Sequence, residues 1–253
     1  MAVRLDAMRM PLRQSLETAA RIGASAVELD ARNQIHPSQL SDTGLRQLRK
    51  MLEDLNLKVA AIRFQTRRGY DNPHDLDRRV EATKAAMKLA YQLGAPVVIN
   101  GVGAIPDSEE DPRWSSLQSV LDDLGKHDAR VGAFLAAETG TEPGETLAKL
   151  LDGAADAFIA IALNPGQLII NRHNVRDAIL ALKGRIQIVC AVDGVLDLAA
   201  GRGLSVPLGQ GTADFPELIG LLEDVQYRGR YIVGRGESTI DELQQGVDYL
   251  RNL

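Results

Sequence analysis

Short apolar runs alternate along the chain with longer stretches in which apolar residues recur at every third or fourth position. The runs cover residues 3–5, 26–29, 59–64, 96–99, 132–137, 157–163, 186–192 and 231–233. Several are rich in Val and Ile, which favours a strand over a buried helix. Of the intervening stretches, residues 43–55 (TGLRQLRKMLEDL) carry leucines at helical spacing. Residues 77–93 carry a weaker stripe of Val80, Met87, Ala90 and Tyr91, interrupted by Thr83 and Lys84. Gly23, Asn56, Gly94, Gly184 and Gly229 each stand just before a strand, where a left-handed residue closes the preceding helix. Strands that alternate with helices at a spacing of about 30 residues predict parallel βαβ units. Eight such units and a closing helix from about Thr239 to Asn252 fill 253 residues. That predicts one (β/α)8 TIM barrel over residues 1–253, since such barrels need about 250. An open doubly wound sheet is the alternative, but no G-x-G-x-x-G turn follows the first strand.

Composition adds limits. Hydrophobic residues make up 45% of the chain, enough for one large core, and charged residues 25%, an ordinary solvated surface. The net charge of −5 argues against nucleic acid as a partner, because non-specific binding relies on basic patches. No apolar run reaches the length of a membrane span, and residues 1–10 contain no signal-peptide core. The lone cysteine, Cys190, excludes an internal disulfide. These features predict a soluble, cytoplasmic protein and leave a homo-oligomer open.

In a (β/α)8 barrel the site is built from the loops that follow the strands. That rule selects Glu28, Asp30, Arg63, Gln65, Asn100, Glu138, Asn164, Cys190, Asp193 and Arg235. His36, His74 and His173 fall in the same loops, while His127 precedes the fifth strand and belongs to the opposite face. Glu138 closes the apolar run Ala133-Phe134-Leu135-Ala136-Ala137. A carboxylate there must be hydrogen-bonded, paired or metal-bound, since an isolated buried charge is too costly. It is the candidate catalytic residue, able to move a proton beside a carbonyl; otherwise it is a rim carboxylate in a structural ion pair. The glycine-rich stretch 194–213 reads as a long loop in the region where this fold often binds phosphate, or as turn chemistry alone. Arg63, Arg67, Arg68, Arg113, Arg172, Arg202 and Arg235 map to the rim and predict a locally positive mouth suited to an anionic ligand. Tyr70 and Trp114 either stack on a sugar or pack the loops.

Taken in order, Ala26-Val27-Glu28-Leu29-Asp30, Ala136-Ala137-Glu138-Thr139-Gly140, Leu163-Asn164-Pro165-Gly166-Gln167-Leu168, Val192-Asp193-Gly194, Val206-Pro207-Leu208-Gly209-Gln210-Gly211, Asp214-Phe215-Pro216-Glu217-Leu218 and Tyr227-Arg228-Gly229 resemble the xylose isomerase-like barrels. This is the superfamily of sugar-phosphate isomerases and epimerases that also includes endonuclease-IV-like proteins. The resemblance implies a small carbohydrate as ligand and isomerase or epimerase chemistry. It also implies a divalent metal held by Glu, Asp, His and Glu on the fifth to eighth strands. Here those positions read Glu138, Asn164, Cys190 and Gly234, and a histidine often found after the Asp reads Gln167. One carboxylate, an amide, a thiol and a glycine are a poor set for a hard cation. The expectation is therefore no metal and no other cofactor, with Glu138 paired to an arginine: Arg235 first, Arg202 as the fallback. Arg63, Asn100, Asn164, His173, Cys190, Asp193, Arg202 and Arg235 are the expected ligand-binding residues. The alternative is a catalytically inactive paralogue that binds a carbohydrate or a partner protein.

Overall fold

Eight parallel strands close into a barrel in the computed structural model, which describes residues 1–154, 157–197 and 202–253, the last segment from the backbone only at Arg202. In chain order the strands are β1 (Ala2–Arg4), β2 (Ala26–Asp30), β3 (Lys58–Arg63), β4 (Val97–Asn100), β5 (Phe134–Glu138), β6 (Ala160–Leu163), β7 (Ile186–Ala191), β8 (Asp193–Asp197), β9 (Arg202–Val206) and β10 (Arg230–Val233). The helices are α1 (Leu12–Arg21), α2 (Asp42–Asp54), α3 (Leu76–Gln92), α4 (Pro112–Val131), α5 (Gly144–Asp152), α6 (Pro165–Ile170), α7 (Val175–Leu182), α8 (Phe215–Asp224) and α9 (Ile240–Arg251). Around the barrel the order is β1, β10, β7, β6, β5, β4, β3, β2. All eight expected strands are present, most with ends shifted by a residue or two; β6 starts at Ala160, later than the apolar run suggests.

The barrel stands on two packed layers. Inside it, Ala2, Ala26, Ala61, Ala136, Ala160 and Ala162 pack with Ile188, Cys190 and Ile232. These side chains are mostly small, as a narrow barrel interior requires. Outside, one face of each helix packs on the strands, as Leu45, Leu48 and Leu52 of α2 do. Side chains alternate in and out along a strand. Arg4, Glu28, Glu138, Asn164, Cys190 and Gly234 therefore lie in step with the interior alanines and isoleucines of their own strands and form the top of the barrel.

Gly23, Asn56, Gly94 and Gly184 are left-handed, as their places before strands predict. Gly229 is not. Gln226 takes the left-handed position, and Gly229 is required by close approach, because a Cβ there would lie 2.4 Å from the Gln187 carbonyl oxygen. The stretch 194–213 departs further from expectation. It contains the antiparallel hairpin β8–β9, in register from Asp193 opposite Val206 to Asp197 opposite Arg202. Among the described residues, no helix is long and apolar enough to cross a membrane.

Candidate functional site

The top of the barrel opens into a cavity of about 750 Å3. Its floor is a bonded charge cluster. Arg63, at the end of β3, is 5% exposed. Its Nε donates to Glu28 Oε1 at 2.7 Å and its Nη1 to Glu138 Oε2 at 2.8 Å. Its Nη2 reaches Glu28 Oε2 at 3.2 Å and Cys190 Sγ at 3.5 Å. Arg4 stands on the other side of Glu28, at 3.5 Å, and forms a two-pronged bond to Asp6 at 2.6 and 2.7 Å.

Glu138 thus meets a guanidinium, but that of Arg63. Arg235, the first-choice partner, lines the same cavity and turns to Glu242 of α9, with both carboxylate oxygens at 3.2 Å from its Nη2. Its position beyond Gly234 explains this: strand alternation points it away from the interior and towards α9. The Arg202 side chain, the fallback partner, lies outside the described residues. Glu138 accepts two further bonds, from Gln65 Nε2 at 2.7 Å and from Asn164 Nδ2 at 3.0 Å. Burial alone would raise its pKa. The Arg63 charge and the bonds from Arg63 and Asn164 outweigh that and hold the carboxyl below its ordinary range. Burial likewise opposes the charge on Arg63, but Glu138 and Glu28 more than compensate and hold its pKa well above the ordinary value.

Asn164 is placed by helix capping. Its Oδ1 accepts from the Gln167 N–H at 3.1 Å and caps α6, whose first residue is Pro165. That leaves the amide NH2 to face Glu138, a donation that an aspartate could not make. Gly234 has φ +128°, and a Cβ there would lie 2.9 Å from Leu243 Cδ2 and 3.0 Å from Arg4 Cβ. Arg4 fills the space that a side chain at this position would need. Burial pushes the Cys190 thiol up, and it stays protonated.

The fit to a divalent metal fails on these contacts. The one retained carboxylate, Glu138, has both oxygens engaged, one of them by a fixed positive charge. Asn164 spends its oxygen on a helix cap, Cys190 presents a neutral thiol, and no side chain can enter at Gly234 without strain. No group of three or more His, Cys, Asp or Glu side chains among the described residues has metal-binding geometry.

The other expected residues separate. Arg63, Glu138, Asn164 and Arg235 line the cavity together with Arg4, Gln65, Thr139 and Gln167. Asn100 is 1% exposed and lies beneath it, taking the Thr66 N–H at 3.1 Å and donating to Tyr70 Oη at 2.8 Å. Asp193 is fully buried and accepts from the backbone N–H groups of Gly194, Gly209, Gly211 and Ala213. His173 follows α6 and does not line the cavity. Tyr70, in the loop after β3, and Trp114, in the first turn of α4, are buried in the outer core, 1% and 4% exposed. Of the rim arginines, Arg113 pairs with Asp111 at the start of α4, Arg172 is exposed beyond α6, and Arg67 and Arg68 line a neighbouring cleft. Among the described residues, the cavity arginines Arg4, Arg63 and Arg235 are each paired with carboxylates, and Arg67 and Arg68 carry their charge in the neighbouring cleft instead. Arg4 is the participant that sequence reasoning missed. Its alternation with Ala2 in a three-residue strand was the available signal.

Fold and site together define a (β/α)8 barrel with a polar cluster at the C-terminal ends of its strands. The model of the xylose isomerase-like TIM barrels matches residues 16–253, and the chain belongs to that family. No curated protein matches it. Among solved structures it is similar to a xylose isomerase domain protein from Planctomyces limnophilus, at 20% identity over 94% of this chain and 91% of that one, with a TM-score of 0.85. It is also similar to a xylose isomerase-like TIM barrel protein from Mycobacterium smegmatis in complex with magnesium (18% identity, 95% and 87% covered, TM-score 0.74). A third is D-psicose 3-epimerase with D-tagatose from Clostridium cellulolyticum H10 (12% identity, 99% and 98% covered, TM-score 0.79).

Proposed function

We propose that this protein binds a small carbohydrate in the barrel mouth without a divalent metal, as a member of the isomerase and epimerase family that has given up the metal-dependent reaction. The observation that carries this reading is the state of Glu138: three donors from Arg63, Gln65 and Asn164 occupy both of its oxygens. A carboxylate so engaged is a weak base, because abstracting a proton means breaking charge-assisted bonds. The family relationship and the epimerases among its structural neighbours support a polyol as the ligand. Hydroxyls would meet Gln65, Asn164, Thr139 and Gln167 on the cavity wall.

The second reading is a metal-independent isomerase or epimerase. One observation favours it: Glu138 is 15% exposed and faces the cavity, so a ligand carbonyl can approach it. In that case the substrate's carbonyl oxygen would take over the Arg63 donor and free Glu138 as base, the negative charge developing on that oxygen as the α-proton moves to Glu138, while Asn164 orients a hydroxyl.

The test pairs binding with exchange. The purified protein is titrated with a panel of ketoses, aldonates and sugar phosphates, and each is followed by proton NMR in D2O. The expected result is saturable binding of at least one member, weakened in Asn164→Ala, with no deuterium entering the carbon next to the carbonyl. Exchange that is lost in Glu138→Gln would establish the enzyme instead, and a panel with no binder would refute a carbohydrate site.

A further inference from the structure

Beside the mouth, the loops after β2 and β3 and the start of α3 enclose a separate cleft of about 360 Å3. Five arginines line it, Arg32, Arg67, Arg68, Arg78 and Arg79, against one carboxylate, Asp75. The net charge of the whole protein is −5, so this concentration runs against its overall balance. Asp75 is itself engaged by His74 Nδ1 at 2.9 Å. Asp30, at the end of β2, is turned into its own loop, accepting the Arg32 and Asn33 N–H groups at 2.7 Å each.

The bonds within the cleft place the guanidiniums without neutralising them. Arg32 Nη1 donates to the Gln65 carbonyl at 2.9 Å, and Arg79 donates to the carbonyls of Asn72 and His74. A carbonyl fixes a guanidinium in place but leaves its full charge uncompensated. Arg67, Arg68 and Arg78 make no ion pair with a described residue. Arg79 Nε is buried and has no acceptor.

We propose that this cleft is an anion site for a phosphoryl group, distinct from the barrel mouth and independent of what the mouth holds. A phosphate dianion supplies several acceptor oxygens and two charges, which suits a fork of guanidiniums better than one carboxylate does. The mouth, by contrast, offers three guanidiniums already matched by carboxylates. The group comes either as free phosphate or as a phosphomonoester on a small molecule. A polynucleotide would need a longer basic stripe than one cleft provides.

Calorimetric titration of the full chain with inorganic phosphate, glycerol phosphate and neutral glycerol tests the site. Saturable binding of either phosphate, with none of glycerol, is the expected result; the tighter of the two identifies the source. Arg67→Ala/Arg68→Ala should weaken that binding by roughly tenfold for each guanidinium that meets the phosphoryl oxygens, while Arg172→Ala, which removes an exposed charge beyond α6, leaves it within about twofold. Circular dichroism confirms that each variant is folded, and Arg78→Ala provides a second probe on a different element. The proposal is overturned if neither phosphate binds, or if Glu138→Gln removes the binding that the arginine variants keep. Tighter binding of a short single-stranded oligonucleotide than of either phosphate would also overturn it.

Discussion

Asp128 shows how a single buried group sets a pH dependence. It lies near the C-terminal end of α4, 2% exposed, with Oδ2 lacking a partner, and burial pushes its carboxyl up to about 7. In the unfolded chain the same group titrates near 4. Between those values the folded state binds more protons than the unfolded one, so stability falls as pH rises from about 4 to about 7 and is level above that. Asp128→Asn removes the titration. The variant should exceed the parent in stability by on the order of 1–2 kcal/mol above pH 7, a discount on the full shift for local solvent access, and the gap should close near pH 4. Urea denaturation at pH 4.5, 6 and 8 measures it, and a gap that widens towards low pH would contradict the assignment. The same scale shows where the sequence stops informing. That Glu138 needs a partner follows from a carboxylate that closes an apolar strand, and that the partner is an arginine follows from the missing metal ligands. Which arginine does not follow, because it depends on barrel stagger. A bulge between Val27 and Glu28 shifts β2 against β3, pairing Glu28 with Ala61 and Asp30 with Arg63, and no local pattern announces it.

At the scale of elements, the helices and parallel strands were legible because hydrophobic period and capping agree. Ser41, Asp111, Asn174, Asp214 and Thr239 each cap the helix that follows, and Thr239 with Glu242 forms a reciprocal capping box. The β8–β9 hairpin was not legible, because its glycines resemble turn residues. They serve close packing instead: a Cβ on Gly203 would sit 2.5 Å from Ile170 Cα, and one on Gly194 would sit 2.8 Å from the Gly166 carbonyl oxygen. What holds the base of the hairpin is Asp193, whose carboxylate gathers four backbone N–H groups from residues 194, 209, 211 and 213. Its expected contact with a ligand therefore gives way to a structural one, since burial leaves none of it in the cavity. Asp193→Ala strands those donors and should cost about 3 kcal/mol. Hydrogen exchange should accelerate across residues 193–213 while α1 to α4 keep their protection. A loss below about 0.5 kcal/mol, the usual range for an uninvolved surface site, would show that the loop is held by something else.

For the whole molecule, the fold was recoverable from the repeat and the chain length, because eight strands joined by seven crossovers, with a closing helix, leave few ways to bury both faces of a parallel sheet. The loss of the metal set was visible residue by residue, but its consequence emerges only from the assembled barrel. Arg4 and Arg63, from the first and third strands, bring positive charge to the place that the family's four ligands would surround. A divalent cation there would face two fixed charges and would have to displace donors from Glu138. Folding stability provides the test, because any ligand that binds only the native state adds RT ln(1 + [L]/Kd), about 2.7 kcal/mol at a hundredfold excess over Kd. For a chain of about 250 residues, 1 kcal/mol moves the midpoint by about 2–4 °C. A functioning metal site would therefore raise Tm by several degrees in Mn2+, and EDTA would reverse the gain. The expected outcome is no shift beyond about 1 °C in either Mn2+ or Mg2+ relative to EDTA. A rise of about 5 °C or more in Mn2+ that disappears in Glu138→Gln would place a cation at Glu138 after all, and would mean that Arg63 swings away when the metal enters.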